Sequence, residues 1–88
     1  MKMVEKLLLK GQAQVDPKKI TQFIQEASHY KSNIFIEKED RKANGKSFLG
    51  VFSLKISGGD KISLIVEGED EKLAIKDLKG FIMKNFYE

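Results

Sequence analysis

One histidine, His29, is the only imidazole this chain could offer to catalysis, and it has no cysteine to work beside. A nucleophile–histidine–acid arrangement would have to use it. It sits in Ser28-His29-Tyr30, at the predicted end of a helix, where its positive form suits the helix dipole, so it reads as a capping or surface residue. The acid pairs Glu39-Asp40 and Glu69-Asp70-Glu71 occupy turn-like segments and read as solvated. Metal ligation is not expected without cysteine and with a single histidine. The phosphate-binding and nucleophile-elbow patterns G-x-x-x-x-G-K-[ST], G-x-G-x-x-G and G-x-S-x-G are absent. Two residues remain whose type and setting are informative. Asp16 precedes Pro17, and Ser47 precedes the apolar run Phe48 to Leu54. Aspartate and serine are both favoured N-caps, and proline is favoured at the first helical position.

The elements that must position these residues follow from periodicity. Residues 3–9 are short and apolar enough for a strand, and Gln12 to Val15 read as a loop. From Asp16-Pro17 onward, Ile20, Phe23, Ile24 and Ala27 recur at helical spacing and make one apolar stripe. Asn33 to Glu37 is β-branched and aromatic, hence a strand, with a brief arm around Arg41 to Ala43. Ser47 opens a helix of about two turns. Lys61 to Glu67 alternates, with Ile62, Leu64 and Val66 on one face, and Gly68 ends it. The acids that follow place negative charge at the start of the last helix, striped by Ala74, Ile75, Leu78, Phe81 and Ile82. The order is strand, helix, strand, short strand, short helix, strand, helix. The economical solution is a two-layer α+β domain over residues 1–88, with three helices on one face of a four-stranded sheet and the other face partly open to water.

Bulk properties narrow the function classes. The 88 residues are 41% hydrophobic with one proline, enough for one thin core and unlike a disordered chain. Sixteen basic and 13 acidic residues are interspersed, giving +3 and no concentrated nucleic-acid signal. Glu5 and Lys6 interrupt the N-terminal apolar run, so no signal peptide is expected, and no stretch approaches a membrane span. A soluble cytoplasmic protein without cofactor is the expectation.

Residues Asn44 to Leu54, NGKSFLGVFSL, resemble the regulatory segment of the HPr phosphocarrier family, typically N-x-K-S-I-M-G-V-M-S-L. Asn44, Lys46, Ser47, Gly50, Val51, Ser53 and Leu54 all fit. Gln25 to Tyr30 is similar to the family's Q-x-A-S-x-Y, and Val66 to Glu71 to its x-x-G-x-D-E. The resemblance spans nearly the whole chain and implies the family's open-faced β-sandwich, a four-stranded antiparallel sheet in the order βαββαβα.

In that family a histidine before the first helix, set in G-[IL]-H-A-R-P-A, relays phosphate from phosphoenolpyruvate in the sugar phosphotransferase system. This chain departs there. Counting back from Gln25 without gaps puts Asp16 at the histidine position and Lys18 at the arginine position. Asp16 is a good cap and a poor relay; an acyl phosphate is chemically possible, and a mimic of permanent charge is another reading. Gln12 and Gln14 are amides and no nucleophiles. Ser47 keeps its whole neighbourhood. The resemblance implies phosphorylation of Ser47 by an HPr kinase/phosphorylase, and docking to a catabolite-control transcription regulator through Phe48, Leu49 and Phe52. A phosphate at such a cap gains amide donors. The family's histidine-lacking subgroup, which acts in catabolite regulation, is the best match. The expectation is therefore a regulatory protein and not an enzyme, monomeric or weakly dimeric, with protein partners and no nucleic acid or membrane. The alternatives are a phosphocarrier with an unusual acceptor, and a diverged scaffold binding another protein.

Overall fold

The computed structural model describes residues 1–86. The elements run β1 (Lys2–Leu8), α1 (Pro17–Ala27), β2 (Asn33–Lys38), β3 (Arg41–Asn44), α2 (Phe48–Ser53), β4 (Lys61–Glu67) and α3 (Glu71–Asn85). The strands form one antiparallel sheet in the order β1-β4-β2-β3. Strand alternation sorts the sheet into two faces. Leu7, Ile34, Ile36, Ala43, Ile62, Leu64 and Val66 point to the core. The three helices cover that side, and Ile20, Phe23, Ala27, Val51, Ala74, Ile75, Leu78 and Ile82 meet the sheet. The opposite face is open, as the α+β reading expects. One of its cross-strand rows is Val4, Ile65, Phe35 and Asn44; the next is Lys6, Ser63, Glu37 and Lys42.

Three local readings are corrected. The segment after β1 reads as a plain loop, yet it is laced to the turn before β4. The Leu9 amide donates to the Asp60 carbonyl (2.9 Å), the Gly58 amide to Ala13 (3.0 Å), and Val15 to Ile56 (2.9 Å). Gln14 makes an isolated bridge to Ser57. Leu9, which the reading over residues 3–9 put in the first strand, lies just past the end of β1, and it is buried with Val15 and Ile56 outside any regular element. Gly58 lies so close to Gly11 that a Cβ there would stand 2.1 Å from a backbone carbon. The first helix stops at Ala27 with Ser28 as its C-cap, so His29 lies just beyond it.

The acids before α3 are also not simply solvated. Glu71 is buried, and its Oε1 accepts from the Gly68 amide at 2.9 Å. Asp70 turns away from its own helix. It accepts from the Lys31 amide (2.8 Å), the Ser32 amide (3.0 Å) and the Ser32 hydroxyl (2.6 Å). The hydroxyl bond first, then the Lys31 amide, hold its carboxyl down at about 2. Among the described residues no helix is long and apolar enough to cross a membrane.

Candidate functional site

The turn from β3 into α2 is specified residue by residue. The Gly45 amide donates to the Ile34 carbonyl at 2.7 Å, and a Cβ at Gly45 would stand 2.6 Å from the Ile34 side chain. The Asn44 side-chain oxygen accepts from the Lys46 amide (2.8 Å), closing an Asx turn. Ser47 then leaves the turn extended, with φ −114° and ψ 115°, the backbone of an N-cap. Its Oγ accepts from the Gly50 amide (3.1 Å), and its carbonyl accepts from Val51 (3.0 Å). Position 50 is tight against the cap: a Cβ there would lie 3.3 Å from Ser47 Oγ. The hydroxyl is half-buried, with its accepting side turned toward the helix.

The helix it opens is split between core and surface. Val51 is fully buried, while Leu49 is 74% exposed, Phe48 40% and Phe52 37%. The two phenyl rings stack, with centroids 5.5 Å apart and planes at 11°. Ser47 thus sits at the edge of an exposed apolar patch on one short helix. Opposite it, the Lys46 ammonium donates to the Tyr30 carbonyl at 2.6 Å, fixing the start of α2 to the loop after α1. That loop is tied in turn to α3. The Tyr30 hydroxyl donates to Asp77 (2.5 Å), and burial together with that bond pushes the phenol up to about 12. Sequence reasoning missed Lys46 and Asp70 as ties, since their acceptors and donors lie 16 and 38 residues away. The Asp that precedes Glu71 was visible, but nothing local announced its partner.

Asp16 lies on the neighbouring helix, α1, which packs against α2. It is extended (φ −60°, ψ 131°), exposed, and its carboxylate accepts from the Lys18 amide at 2.8 Å. Its carbonyl accepts from Lys19 and Ile20. The engagement with Lys18 is through the backbone, and the exposed Lys18 ammonium is not in an ion pair with it. The carboxylate therefore takes up the Lys18 amide, a donor that an anion at this helix start would otherwise use. The structure thus brings Ser47, Phe48, Leu49 and Phe52 together on α2 and leaves Asp16 and Lys18 at the start of α1. His29 is exposed, and its nearest acid is Glu26, 4.0 Å away. Among the described residues no three metal-ligating side chains converge.

Comparison with known proteins matches this geometry. The family model for the PTS HPr component phosphorylation site covers residues 9–84. The HPr-like protein Crh of Halalkalibacterium halodurans is 50% identical over 62 residues, 70% of this chain and 74% of that protein. The crystal structure of HPr-C-His from Thermoanaerobacter tengcongensis superposes with a TM-score of 0.87 at 34% identity, covering 96% of this chain and 94% of that one. Crh of Bacillus subtilis, described as a catabolite repression protein that forms an intertwined dimer by domain swapping, superposes at 0.77 with 32% identity. It covers 92% of this chain and 93% of its own.

Proposed function

Because this chain belongs to the HPr family, whose members are phosphocarriers and regulators and not enzymes, we propose that it is a histidine-lacking regulatory member, switched at Ser47. The single observation that carries this reading is the contrast between the two helix starts. At the start of α1, position 16 carries an aspartate, whose carboxylate takes up the Lys18 amide, and not an imidazole that could relay phosphate. At the start of α2, a half-buried serine hydroxyl stands beside an exposed apolar patch.

The chemistry of the switch follows from the cap. Transfer of a phosphoryl group to Ser47 Oγ replaces the hydroxyl proton and adds roughly two negative charges with three acceptor oxygens at the positive end of α2. The Gly50 amide already points at that oxygen. The added charge lies beside Phe48, Leu49 and Phe52, so a partner reads an apolar patch and a phosphate together. In this reading the kinase is an HPr kinase/phosphorylase, and the partner is a catabolite-control transcription regulator. The protein acts in the cytoplasm.

A carrier reading remains testable, because the matched family model is described by its phosphorylation site. Under it, Asp16 would accept phosphate as an acyl phosphate, and its contact with the Lys18 amide would have to break first. Intact mass after two parallel incubations separates the readings. One tube holds the protein, ATP and an HPr kinase; the other holds phosphoenolpyruvate and the first phosphotransferase enzyme. Phosphate added only with ATP, and mapped to Ser47, is the expected result. An acid-labile phosphate from phosphoenolpyruvate would assign the chain to relay, and no phosphate in either tube would favour a diverged scaffold.

A further inference from the structure

We propose that Asn44 is a modification site: its side-chain amide deamidates spontaneously when the turn between β3 and α2 opens, and the isoaspartyl product dismantles the start of α2. The inference stands on the geometry of this turn and holds whether or not Ser47 is phosphorylated. Of the three asparagines, Asn33, Asn44 and Asn85, only Asn44 is followed by glycine. Asparagine is among the chemically labile side chains, and a glycine after it offers a backbone nitrogen with no Cβ to hinder it. Asn44 is exposed at the end of β3, in reach of water.

The reaction balances with water as its only co-reactant. The Gly45 nitrogen gives up its proton and attacks Asn44 Cγ. A C–N bond forms there as the Cγ–Nδ2 bond breaks, and the proton leaves with the departing nitrogen as ammonia. The five-membered succinimide so formed then takes up one water. Opening at Cγ gives aspartate with the chain path unchanged. Opening at the main-chain carbonyl gives isoaspartate, whose chain path runs through Cβ and Cγ and gains one backbone atom.

In the closed turn the nucleophile is withheld. The Gly45 amide donates to the Ile34 carbonyl at 2.7 Å, and Gly45 is buried. An amide whose proton is held in a buried bond can neither ionise nor swing toward the side chain without first losing that bond. The carboxamide is held too, its oxygen accepting from the Lys46 amide at 2.8 Å. The reaction therefore waits for local opening, and its rate reports how often the turn opens.

The two products differ in what they leave standing. Aspartate keeps an oxygen where the Lys46 amide needs one, so the turn survives with an added charge. Isoaspartate disturbs three contacts at once. Its extra backbone atom moves Gly45 against Ile34, where even a Cβ would stand 2.6 Å from the side chain. The Asn44 carbonyl, which accepts from the Ser47 amide at 3.0 Å, becomes a carboxylate outside the chain path. The oxygen facing Lys46 becomes the main-chain carbonyl in its place. Ser47 then loses its register with the Gly50 amide that it caps.

Ageing the full chain at mildly alkaline pH tests this, once native and once unfolded in guanidinium chloride. Peptide mapping by mass locates the change from amide to acid, and protein isoaspartyl methyltransferase counts the isoaspartyl share. Conversion at Asn44 is expected in both samples, at least about tenfold slower in the native one. Guanidinium below the unfolding transition should raise the native rate in step with hydrogen exchange of the Gly45 amide. The chain aged while unfolded is then refolded and its isoaspartyl form purified. Its α2 amides should lose protection from exchange, whereas Asn44→Asp, the other product made directly, should keep it. Equal rates in the native and unfolded chain overturn the proposal, as does a lack of conversion at Asn44 when unfolded. So does an isoaspartyl form whose α2 is protected like that of the parent.

Discussion

At Ser47 the cap and the proposed switch can be pulled apart by two substitutions, because they depend on different properties of the side chain. Ser47→Ala removes the acceptor of the Gly50 amide and should cost about 1 kcal/mol, the usual worth of a lost cap. Ser47→Asp keeps an acceptor at the same place, since aspartate ranks with serine at N-cap positions, so urea denaturation should show stability within about 0.5 kcal/mol of the parent. It also adds a charge beside Phe48, Leu49 and Phe52. If Ser47 is a switch, Ser47→Asp shifts binding of the catabolite-control regulator while Ser47→Ala does not mimic it. Equal binding by both would reduce Ser47 to a cap. Gly80 is the opposite case, a residue whose side chain is missed. It lies inside α3, and a Cβ there would meet nothing within 4 Å. Gly80→Ala should raise stability by up to about 1 kcal/mol, which a thermal melt would register.

The loop between α1 and β2 is held by elements far away in sequence, and its ties titrate at both ends of the pH scale. Asp70 is pulled from 3.8 to about 2, first by the Ser32 hydroxyl and then by the Lys31 amide. A lowered carboxyl stabilises the fold above its unfolded value, so this contribution is complete above about pH 3.8 and fades as pH falls toward 2. Tyr30 moves the other way, from 10.0 to about 12, by burial and by its bond to Asp77. A raised phenol stabilises the fold below its unfolded value, so that contribution is complete below about pH 10 and is lost between 10 and 12. Urea midpoints followed across pH should therefore fall at both extremes. Asp70→Asn should flatten the acid limb, and Tyr30→Phe the alkaline one. Unchanged limbs would mean that other groups govern them. This loop also shows where sequence reading stops. Asp16-Pro17, Ser47 before an apolar run, and the alternation of Lys61 to Glu67 announce their elements because capping and periodicity are local. The bonds from Asp70 to Ser32 span 38 residues, and no spacing rule reaches that far. The loop over Gln12 to Val15 is illegible for the same reason: Val15 is buried where residues 56–58 come back to pair with it.

The whole molecule uses aromatic pairs in two opposed ways, and the difference predicts which substitutions unfold it. Phe23, Phe81 and Phe86 form one cluster where α1 meets the end of α3, with ring centroids 5.7 to 6.3 Å apart. Phe23 and Phe86 have no exposed surface. Phe48 and Phe52 stack equally closely, but on the outer side of α2. From sequence Phe23 and Phe81 fall on the apolar sides of α1 and α3 much as Phe48 and Phe52 fall on one side of α2; only the sheet decides which side it covers. In a domain this small the total stability sits toward the low end of about 5–15 kcal/mol. Phe23→Ala should cost about 3–5 kcal/mol, leaving the chain marginally folded at room temperature. Phe52→Ala removes a ring that is more than a third exposed, so it should cost at most about 2 kcal/mol and leave a cooperative melt. Leu49→Glu, at the most exposed position of the patch, should change stability by no more than about 0.5 kcal/mol. If α2 is the docking surface, Leu49→Glu and Phe52→Ala both lose regulator binding after Ser47 is phosphorylated, while their circular dichroism and hydrogen-exchange protection in β4 match the parent. Retained binding in both variants would move the interface elsewhere on the molecule. Loss of binding together with loss of β4 protection would mean that the patch is a part of the core after all.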